Sequence, residues 1–332
     1  MRAVVRDRYG PPDVMRLEEI AVPTPRAGQV LVRVVATSVN LSDWEGLHGW
    51  PAYARFGGLF RPSRRILGSD IAGVVEAVSA GVTSFRPGDE VYGDILMIPG
   101  GFAEYAVAPE HALTLKPVEL SFAQASTLPQ SGAIAVQAVA RAKPRSRMLI
   151  NGAGGGTGAF AIQLAAAAGI HVTGVDNAGK LDFMRSLGAD EVIDYRAEDF
   201  TRGGSYDLIV DLVARRSVFA YRRALAPGGT YLIVGGTMRA LLRVLTVGAA
   251  IGALSGRRLG LLAVKQGPKQ FEQLAQCCVD GSVRIHIDRV FALDQVPEAL
   301  SYVGTGKALG KVVVLIDPAA DSSSRGFSRM EG

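Results

Sequence analysis

The sequence predicts an α/β protein, with a small β-rich domain followed by a doubly wound parallel sheet. Three observations predict it. Valine-rich runs punctuated by Gly-Asp and Pro-Gly fill the first 120 residues, helical and strand patterns alternate from Ser121 onward, and a glycine-rich segment joins a strand to a helix near residue 152. The chain of 332 residues has room for two such domains.

The β-rich domain is predicted from runs bounded by turn residues. Its strands are expected at Gly28 to Val39, Gly68 to Val78, Gly88 to Gly93 and Ala103 to Val107. This domain is assigned to residues 1–120.

The parallel sheet is predicted from short apolar runs that alternate with helical segments. Its strands are expected at Arg147 to Asn151, His171 to Asp176, Asp190 to Asp194, Asp207 to Asp211 and Thr230 to Val234, with a helix from Ala159 to Ala168. This second domain is assigned to residues 121–266.

The chain is expected to return to the first domain. A helix is predicted from Gln270 to Val279 and a closing strand from Lys311 to Asp317, so residues 267–318 belong to the β-rich domain. The tail, 319–332, has Ser, Gly and charge without an apolar period, and is predicted to be disordered.

The glycine segment Asn151 to Gly158 predicts dinucleotide binding. Glycine permits a tight turn, close approach of the backbone to a pyrophosphate, and close packing of helix on strand, while the helix N-terminus supplies free N–H groups. Asp176 follows Gly152 by 24 residues, close to the spacing expected of a ribose ligand. The predicted cofactor-binding residues here are Gly152, Gly154, Gly155, Gly156, Thr157, Gly158 and Asp176.

Several classes of protein are excluded by the sequence. No Lys follows Gly158, which argues against a nucleotide triphosphatase, and no Gly-x-Ser-x-Gly segment indicates a hydrolase. The 36 basic and 31 acidic residues are mixed along the chain, so the formal charge of +5 does not predict nucleic-acid binding.

Cellular location and membrane contact are predicted from the apolar runs. The N-terminus lacks the apolar stretch of a signal peptide, so a cytoplasmic protein is expected. Ala240 to Val264 is the most apolar region, but Arg243, Arg257 and Arg258 interrupt it, and we expect a buried or subunit-contact segment rather than a membrane span.

An ordered series of segments runs along nearly the whole chain: VLVRVVATSVNLSDW (30–44), LGSDIAGVVEAVSAGVTSFRPGDEVYG (67–93), GGFAEYAVAPEH (100–111), the glycine segment, SLGADEVIDYR (186–196) and GKVVVLID (310–317). This series resembles the medium-chain dehydrogenase/reductase superfamily, in its zinc-independent, quinone-oxidoreductase-like branch. The resemblance implies a GroES-like catalytic domain, a Rossmann cofactor domain and an active site in the cleft between them.

Zinc-dependent members of this superfamily carry a Cys-x-x-Asp segment, a Gly-His-Glu segment and a four-cysteine lobe. Here the corresponding positions read Asn40 to Asp43 and Gly68-Ser69-Asp70, and the two cysteines are Cys277 and Cys278, so no zinc is expected. The four histidines (His48, His111, His171, His286) are scattered.

Three side chains are candidates for catalysis. The resemblance places Asn40 and Asp43 at the mouth of the nicotinamide pocket, where they would orient substrate, cofactor or water, although Asn and Asp at a strand end also hold turns. Tyr53, like Trp50 and His48 in the same loop, could stack on a ring or donate a proton. Lys265, at the end of an expected strand GLLAVK, is a weaker candidate for the cleft.

The sequence gives two conflicting indications about the choice between NADH and NADPH. Asp176 favours NAD, because a carboxylate there binds the 2′-hydroxyl and repels a 2′-phosphate. Similar reductases are mostly NADPH-dependent and use a Lys and a Tyr that match Lys180 and Tyr195, so we favour NADP(H). We further assign Asn177, Gly235 and Lys311 to the cofactor site.

Two positions depart from the pattern of similar reductases. Ile134 stands where a Thr is frequent near the nicotinamide amide, and Ala214 stands where a Gly is usual beside the cofactor.

The function predicted is a zinc-independent NAD(P)H-dependent oxidoreductase that transfers hydride to a quinone, an α,β-unsaturated carbonyl or an aldehyde. Two alternatives are a reversible alcohol/carbonyl dehydrogenase and a nucleotide-binding member without catalysis. A homodimer through the edge of the cofactor sheet, near Leu259 to Val264, is expected.

Overall fold

The chain forms two units, each built on a β-sheet of its own. The structure, a computed structural model, describes residues 1–55 and 58–323. Among the described residues, the first unit comprises 1–55, 58–133 and 266–323, and the second comprises 134–265. The second unit is therefore inserted into the sequence of the first.

Fifteen strands are found in the described part of the chain. They are β1 Arg2–Arg6, β2 Met15–Glu19, β3 Gln29–Val39, β4 Asp70–Val78, β5 Glu90–Asp94, β6 Tyr105–Pro109, β7 Leu113–Leu115, β8 Arg147–Asn151, β9 His171–Asp176, β10 Glu191–Asp194, β11 Tyr206–Asp211, β12 Leu225–Ile233, β13 Arg258–Leu261, β14 Ile287–Ala292 and β15 Lys311–Leu315.

Eleven α-helices are found in the same residues. They are α1 Leu41–His48, α2 Phe122–Ala125, α3 Pro129–Val139, α4 Gly156–Ala167, α5 Leu181–Ser186, α6 Val218–Ala224, α7 Met238–Arg243, α8 Ala249–Ser255, α9 Glu272–Val279, α10 Val296–Gly304 and α11 Pro318–Ser323.

The first unit is built on a seven-stranded sheet. Its strand order is β14-β15-β3-β4-β5-β7, with β6 also paired to β3, and β1 and β2 form a separate hairpin. Strand β15 pairs antiparallel with β3, so the end of the chain completes the sheet that its beginning started. The core is made by alternate valines of β3 and β15 together with Ile71 and Leu300.

The second unit is a six-stranded parallel sheet of order β10-β9-β8-β11-β12-β13. The order reverses direction at β8, where the glycine segment begins, and in such sheets ligands bind beyond the carboxyl ends of the strands at the reversal. Strands β8 and β9 have the predicted bounds, and the predicted α/β class with a β-rich and a doubly wound domain is confirmed.

Three expectations are corrected by the fold. The first unit extends to Ala133, because α2 packs on β3 and β4. The tail does not start disordered at Ala319, because α11 runs to Ser323 and the buried Asp321 carboxylate accepts the Ala123 N–H at 2.9 Å. The remainder, 324–332, lies outside the described residues. Lys265 does not end a strand, since β13 stops at Leu261.

The apolar region after residue 237 forms one helix rather than an interrupted run. Helices α7 and α8 join through a π-helical turn, Val244–Gly248, which gives 18 helical residues from Met238 to Ser255. By length and composition this helix could cross a membrane, and 22% of it is buried. The expected alternative of a buried segment is therefore wrong, and the subunit-contact segment stays a prediction.

Candidate active site and cofactor loop

The glycine segment forms the predicted turn between β8 and α4. Gly152 has φ +90°, which favours glycine, and Gly155 is the N-cap of α4. A Cβ on Gly158 would lie 2.4 Å from the backbone oxygen of Ala153, so the helix and the turn touch through bare backbone. The first-turn N–H groups of a helix have no intrahelical acceptor, and here they belong to small residues, so this cradle fits a pyrophosphate.

Both carboxylate oxygens of Asp176 accept hydrogen bonds from the protein itself. One carboxylate oxygen, Oδ2, accepts the Gly154 N–H at 3.1 Å and lies 3.6 Å from the ammonium of Lys180. The other oxygen, Oδ1, accepts the backbone and side-chain N–H groups of Asn177 at 2.8 and 3.0 Å. Asp176 therefore braces the glycine turn, and its negative charge is compensated by Lys180.

Lys180 is buried, although a lysine at a helix start is ordinarily solvated. Its alkyl chain covers Gly154, where an added Cβ would lie 2.5 Å from the Lys180 Cδ. Tyr195 follows β10 and is 37% exposed, and the Arg196 guanidinium lies 5.6 Å from the centre of its ring. Lys180 and Tyr195 follow adjacent strands, since β9 and β10 pair in register up to Asp176 and Asp194.

The loop after β11 is held by a buried carboxylate. Asp211 Oδ1 accepts the Val213 and Ala214 N–H groups at 3.0 and 2.9 Å and the Asn151 amide at 2.7 Å. Asp211 Oδ2 accepts the Tyr231 hydroxyl at 2.9 Å. Ala214 has φ +61°, a conformation that glycine adopts without strain, which explains why glycine is usual at this position.

Gly235 follows β12 directly. It has φ +68°, and the next residue, Gly236, has φ +99°, so the chain turns sharply as it leaves the sheet. Val234, just before this turn, donates its N–H to the Asp211 backbone oxygen at 2.9 Å, which keeps the two strand ends together.

The first unit contains a buried polar cluster around Lys311. Its ammonium donates to Asn40 Oδ1 at 2.7 Å and to Ser131 Oγ at 3.0 Å, and it lies 3.6 Å from Asp70 Oδ2. Lys311 is 3% exposed and Asp70 is fully buried. Burial lowers the pKa of Lys311, while the negative charge of Asp70 opposes this effect. We call Asn40, Asp70, Ser131 and Lys311 the lysine cluster.

Asn40 uses all of its hydrogen-bonding capacity within the protein. Its amide nitrogen donates to Asp70 Oδ2 at 2.8 Å and to Ser69 Oγ at 3.2 Å, while its oxygen accepts from Lys311. Asn40 therefore holds the cluster together, and its amide has no donor left over for a ligand in this arrangement.

Asp43 connects the start of helix α1 to the segment that precedes strand β4. Its carboxylate accepts the Asn40 N–H at 2.9 Å, as in a capping box, and the Gly68 N–H at 3.1 Å. Burial raises the pKa of Asp43 to about 7, against the effect of these two hydrogen bonds. The structure thus gives Asp43 a bracing role in the free protein.

Tyr53 lies in the loop after α1 and is half-buried. Its hydroxyl donates to Glu45 Oε2 at 3.1 Å, and burial raises the pKa of Glu45 to about 6. His48 packs on Trp44, with ring centres 4.0 Å apart, whereas Trp50 is 63% exposed.

Asp94 adds a third carboxylate close to the lysine cluster. It is directly opposite Asp70 in the β4–β5 pairing, and burial and the negative charge of Asp70 raise its pKa to about 7. A carboxyl whose pKa is raised on folding stabilises the protein only at low pH, and this contribution is lost as pH rises from about 4 to about 7.

We therefore predict that Asp94→Asn stabilises the protein at pH 8 and not at pH 4. Asparagine keeps an oxygen for the Leu96 N–H, which Asp94 Oδ1 accepts at 2.8 Å, and removes the ionisation. The difference in unfolding free energy between variant and wild type should grow by up to about 1.4 kcal/mol per pH unit across this interval. Urea denaturation at four pH values measures it, and a difference independent of pH would contradict the prediction.

Sequence reasoning missed Ser131, Asp94 and Asp211. Asp211 ends a strand beside the glycine turn in the sheet, so its position in the sequence was a usable signal. Ser131 and Asp94 carried no local signal.

Cys277 and Cys278 are half-buried on α9, and burial raises the pKa of Cys278 to about 12, which fits packing rather than redox chemistry. Within residues 1–55 and 58–323, no three His, Cys, Asp or Glu side chains are grouped to hold a metal ion.

The first unit is β-rich, and the second unit, inserted into its sequence, is a six-stranded parallel sheet with a glycine turn where the strand order reverses. This arrangement defines the class of two-unit dinucleotide-dependent oxidoreductases. Family comparisons agree: residues 26–118 match the alcohol dehydrogenase GroES-like domain, and residues 187–314 match a family described as zinc-binding dehydrogenase. The chain belongs to the medium-chain dehydrogenase/reductase superfamily, in its quinone-oxidoreductase-like branch.

Individual relatives cover nearly the whole chain. A chloroplastic quinone oxidoreductase, QR1, of Triphysaria versicolor is 31% identical over 95% of this chain and 98% of its own. A chloroplastic NADPH-dependent alkenal/one oxidoreductase of Arabidopsis thaliana is 32% identical over 95% of this chain and 79% of its own. The solved structure of a quinone oxidoreductase from Coxiella burnetii superposes with a TM-score of 0.86 at 30% identity, covering 95% and 99% of the two chains.

Proposed function

We propose that this protein is an NADPH-dependent, zinc-independent reductase that transfers hydride to a quinone or an α,β-unsaturated carbonyl. The observation that carries the proposal is the glycine turn with its internally neutralised Asp176, because it fits a dinucleotide with a 2′-phosphate. The activities named for the relatives, quinone and alkenal/one reduction, support the same reaction class.

The preference for NADPH follows from the state of Asp176. A carboxylate at this position selects the 2′-hydroxyl of NAD when it is free. Here its oxygens accept hydrogen bonds from Gly154 and Asn177, and Lys180 lies 3.6 Å away. The charge that would repel a 2′-phosphate is therefore compensated, and Lys180, Tyr195 and Arg196 are the groups we assign to the phosphate.

Replacing Lys180 by methionine should shift cofactor preference towards NADH. The variant keeps the alkyl cover over Gly154 but leaves the Asp176 carboxylate without its cation, so a 2′-phosphate meets an uncompensated negative charge. We expect NADPH affinity to fall about tenfold, which corresponds to about 1.4 kcal/mol, and NADH affinity to change less than threefold. Nicotinamide fluorescence titration measures both.

Arg185→Met is the matched control for this variant. Arg185 is an exposed cation in the same helical segment and pairs with Asp182 at 2.6 Å. Equal losses of NADH and NADPH binding in the Lys180 variant would show that Lys180 supports the loop without selecting the phosphate.

A zinc-free reaction is proposed from the donor set of the first unit. Asn40 and Ser69 stand where the family pattern of zinc-dependent members has ligands, and Asn40 contacts the ammonium of Lys311 at 2.7 Å. A cation in the site disfavours a second one, and an amide and a hydroxyl are weak zinc ligands compared with thiolate and imidazole.

The proposed function is tested by combining binding and turnover. Purified protein, dialysed against a chelator and checked for metal by elemental analysis, is titrated with NADPH and NADH and then given 1,4-benzoquinone, an alkenal and an aldehyde. Acceptor-dependent NADPH oxidation without metal is expected. Nucleotide binding without turnover would favour the non-catalytic alternative, and pH-dependent alcohol oxidation would favour the dehydrogenase alternative.

We also propose a homodimer in which β13, the last strand of the parallel sheet, pairs with its copy. The helix from Met238 to Ser255 adds exposed apolar side chains there, with Leu242 and Leu245 56% and 55% exposed and Leu254 90% exposed. Sedimentation equilibrium measures the association, and a monomer at micromolar concentration would overturn the proposed homodimer.

The cytoplasmic location stays a prediction, since the plant relatives are described as chloroplastic.

A further inference from the structure

A cavity of about 410 Å³ lies in the first unit, beside strands β1 and β6. Its lining comes from Met1, Val5 and parts of four segments, 20–29, 63–66, 98–100 and 105–107. Binding sites for small molecules ordinarily enclose about 300–1,000 Å³, so the cavity is large enough for one such ligand. Neither the lysine cluster nor the three candidates for catalysis contribute to this lining, so the cavity is a second candidate site.

The floor of the cavity is apolar and is held by backbone contacts. Val5 is fully buried and forms an antiparallel bridge with Ile66. Ile20 and Ile66 pack on the same small core cluster as Val5, and the Ile20 N–H donates to the Met1 backbone oxygen at 2.9 Å. Ile98 adds a third half-buried isoleucine to the lining. The protein therefore forms this apolar surface without a ligand.

The charge of the lining is positive. Three arginines line the cavity, Arg26, Arg64 and Arg65, and no Asp or Glu stands among the described residues that do so. Arg65 is already engaged, because its guanidinium pairs with Asp7 at 2.7 Å and with Glu18 at 3.0 Å. The side chains of Arg26 and Arg64 are exposed, and neither makes a hydrogen bond or ion pair with another described residue.

The backbone of Arg26 is fixed although its guanidinium has no partner. The Arg26 N–H donates to Gln29 Oε1 at 2.9 Å, and the Arg26 backbone oxygen accepts the Gln29 N–H at 2.9 Å and the Ser79 hydroxyl at 2.5 Å. A guanidinium presents its N–H donors as a fork that matches the two oxygens of a carboxylate. Arg26 therefore offers a charged donor at a fixed place in an apolar cavity.

We propose that this cavity binds an amphiphilic carboxylate, whose unbranched apolar chain lies against Ile20, Ile66 and Ile98 and whose carboxylate lies beside Arg26 and Arg64. Burial of the chain favours any apolar molecule, whereas the two unpaired arginines favour an anion over its neutral analogue. The site lies wholly within the first unit, and the inference does not depend on the proposed reductase function.

Octanoate is the probe, and the three isoleucines of the lining report where it binds. The full chain is labelled with ¹³C at the isoleucine δ1 methyl groups, which are assigned by single Ile→Val substitutions. We expect octanoate to shift the methyl signals of Ile20, Ile66 and Ile98, with a dissociation constant below about 1 mM. The signals of Ile71, buried in the core of the same unit, and Ile209, on β11, should not move.

The role of the arginines is tested with octanamide, a neutral molecule of nearly the same shape. We expect octanamide to bind about tenfold more weakly than octanoate. The substitutions Arg26→Gln and Arg64→Gln should each weaken octanoate binding about threefold, and the double variant about tenfold, because solvent-exposed ion pairs contribute modestly. Octanamide binding should stay within about twofold in all three variants. Arg8→Gln is the matched control, since Arg8 is an exposed arginine of the same unit outside the lining.

The position of the apolar chain is tested with Gly100→Leu. Gly100 lines the cavity, and an added Cβ there would meet no atom within 4 Å, so the leucine takes up cavity space without a backbone clash. We expect octanoate and octanamide to lose affinity more than about tenfold, with the melting temperature unchanged. Gly203→Leu, at another open glycine, in the second unit, is the control for an added leucine.

The outcomes decide between this cavity and other places of binding. Unchanged signals of Ile20, Ile66 and Ile98 at saturating octanoate, or equal affinities for octanoate and octanamide, would overturn the inference. Retained binding in Gly100→Leu would do the same, as would displacement of octanoate by NADPH. Octanoate binding that NADPH leaves unchanged and that depends on Arg26 and Arg64 would support the site, whether or not the protein reduces a quinone or an alkenal.

Discussion

Gly158→Ala should destabilise the cofactor unit and abolish tight NADPH binding. A methyl group there would lie 2.4 Å from the oxygen and 2.5 Å from the carbonyl carbon of Ala153, both backbone atoms that cannot rotate away. Overpacking that forces the backbone to shift typically costs about 1–3 kcal/mol, and occasionally more. Where the variant still folds, the turn must open, and the N–H groups that would cradle the pyrophosphate lose their alignment. Thermal melting and NADPH titration measure the two effects.

Gly155→Ala is the matched comparison within the same turn. A Cβ on Gly155 would meet only the Gly152 oxygen, at 3.6 Å, and Gly155 has φ −88°, which any residue adopts. Stability of this variant should equal that of wild type. Equal melting temperatures for Gly155→Ala and Gly158→Ala would show that contact between helix and turn is not the reason for glycine at position 158.

Much of the second unit could be predicted from the sequence because its signals are local. The strands before and after the glycine turn were predicted with their observed bounds, since apolar runs flanked by glycine identify them within a few residues. Asp176 was placed at the correct strand end, and its spacing predicted a ribose ligand. What the sequence could not show is that Gly154, Asn177 and Lys180 already engage this carboxylate.

The lysine cluster could not be predicted because its members are distant in the sequence. Lys311 and Asn40 are 271 positions apart, and Lys311 and Ser131 are 180 apart. They meet because β15 returns to pair with β3, and no local pattern encodes which side chains then face each other. The role of Asn40 in orienting a ligand and the assignment of Lys311 to the cofactor stay predictions, and the structure adds that the two side chains hydrogen-bond within the cluster.

Asp211→Ala should be among the most destabilising single substitutions in the second unit. It leaves the Tyr231 hydroxyl, the Asn151 amide and two backbone N–H groups without the acceptor that they share. Each buried polar group without a partner costs about 1–3 kcal/mol, so the unfolding free energy should fall by at least about 3 kcal/mol. Urea denaturation followed by circular dichroism measures it.

Asp207→Ala is the control, since Asp207 is an exposed carboxylate on the same strand whose single backbone partner is the Arg147 N–H, at 2.8 Å. The unfolding free energy of that variant should fall by less than about 1 kcal/mol, the usual effect of a surface substitution.

Asp211→Asn keeps one acceptor oxygen for the Leu212–Ala214 loop, so it should retain most of the stability. Because the same loop packs against Gly152, where an added Cβ would lie 3.2 Å from Val213 Cγ2, Asp211→Ala should also weaken NADPH binding in the fraction that folds. Similar stability of the Asp211 and Asp207 alanine variants would mean that the loop satisfies its N–H groups without this carboxylate.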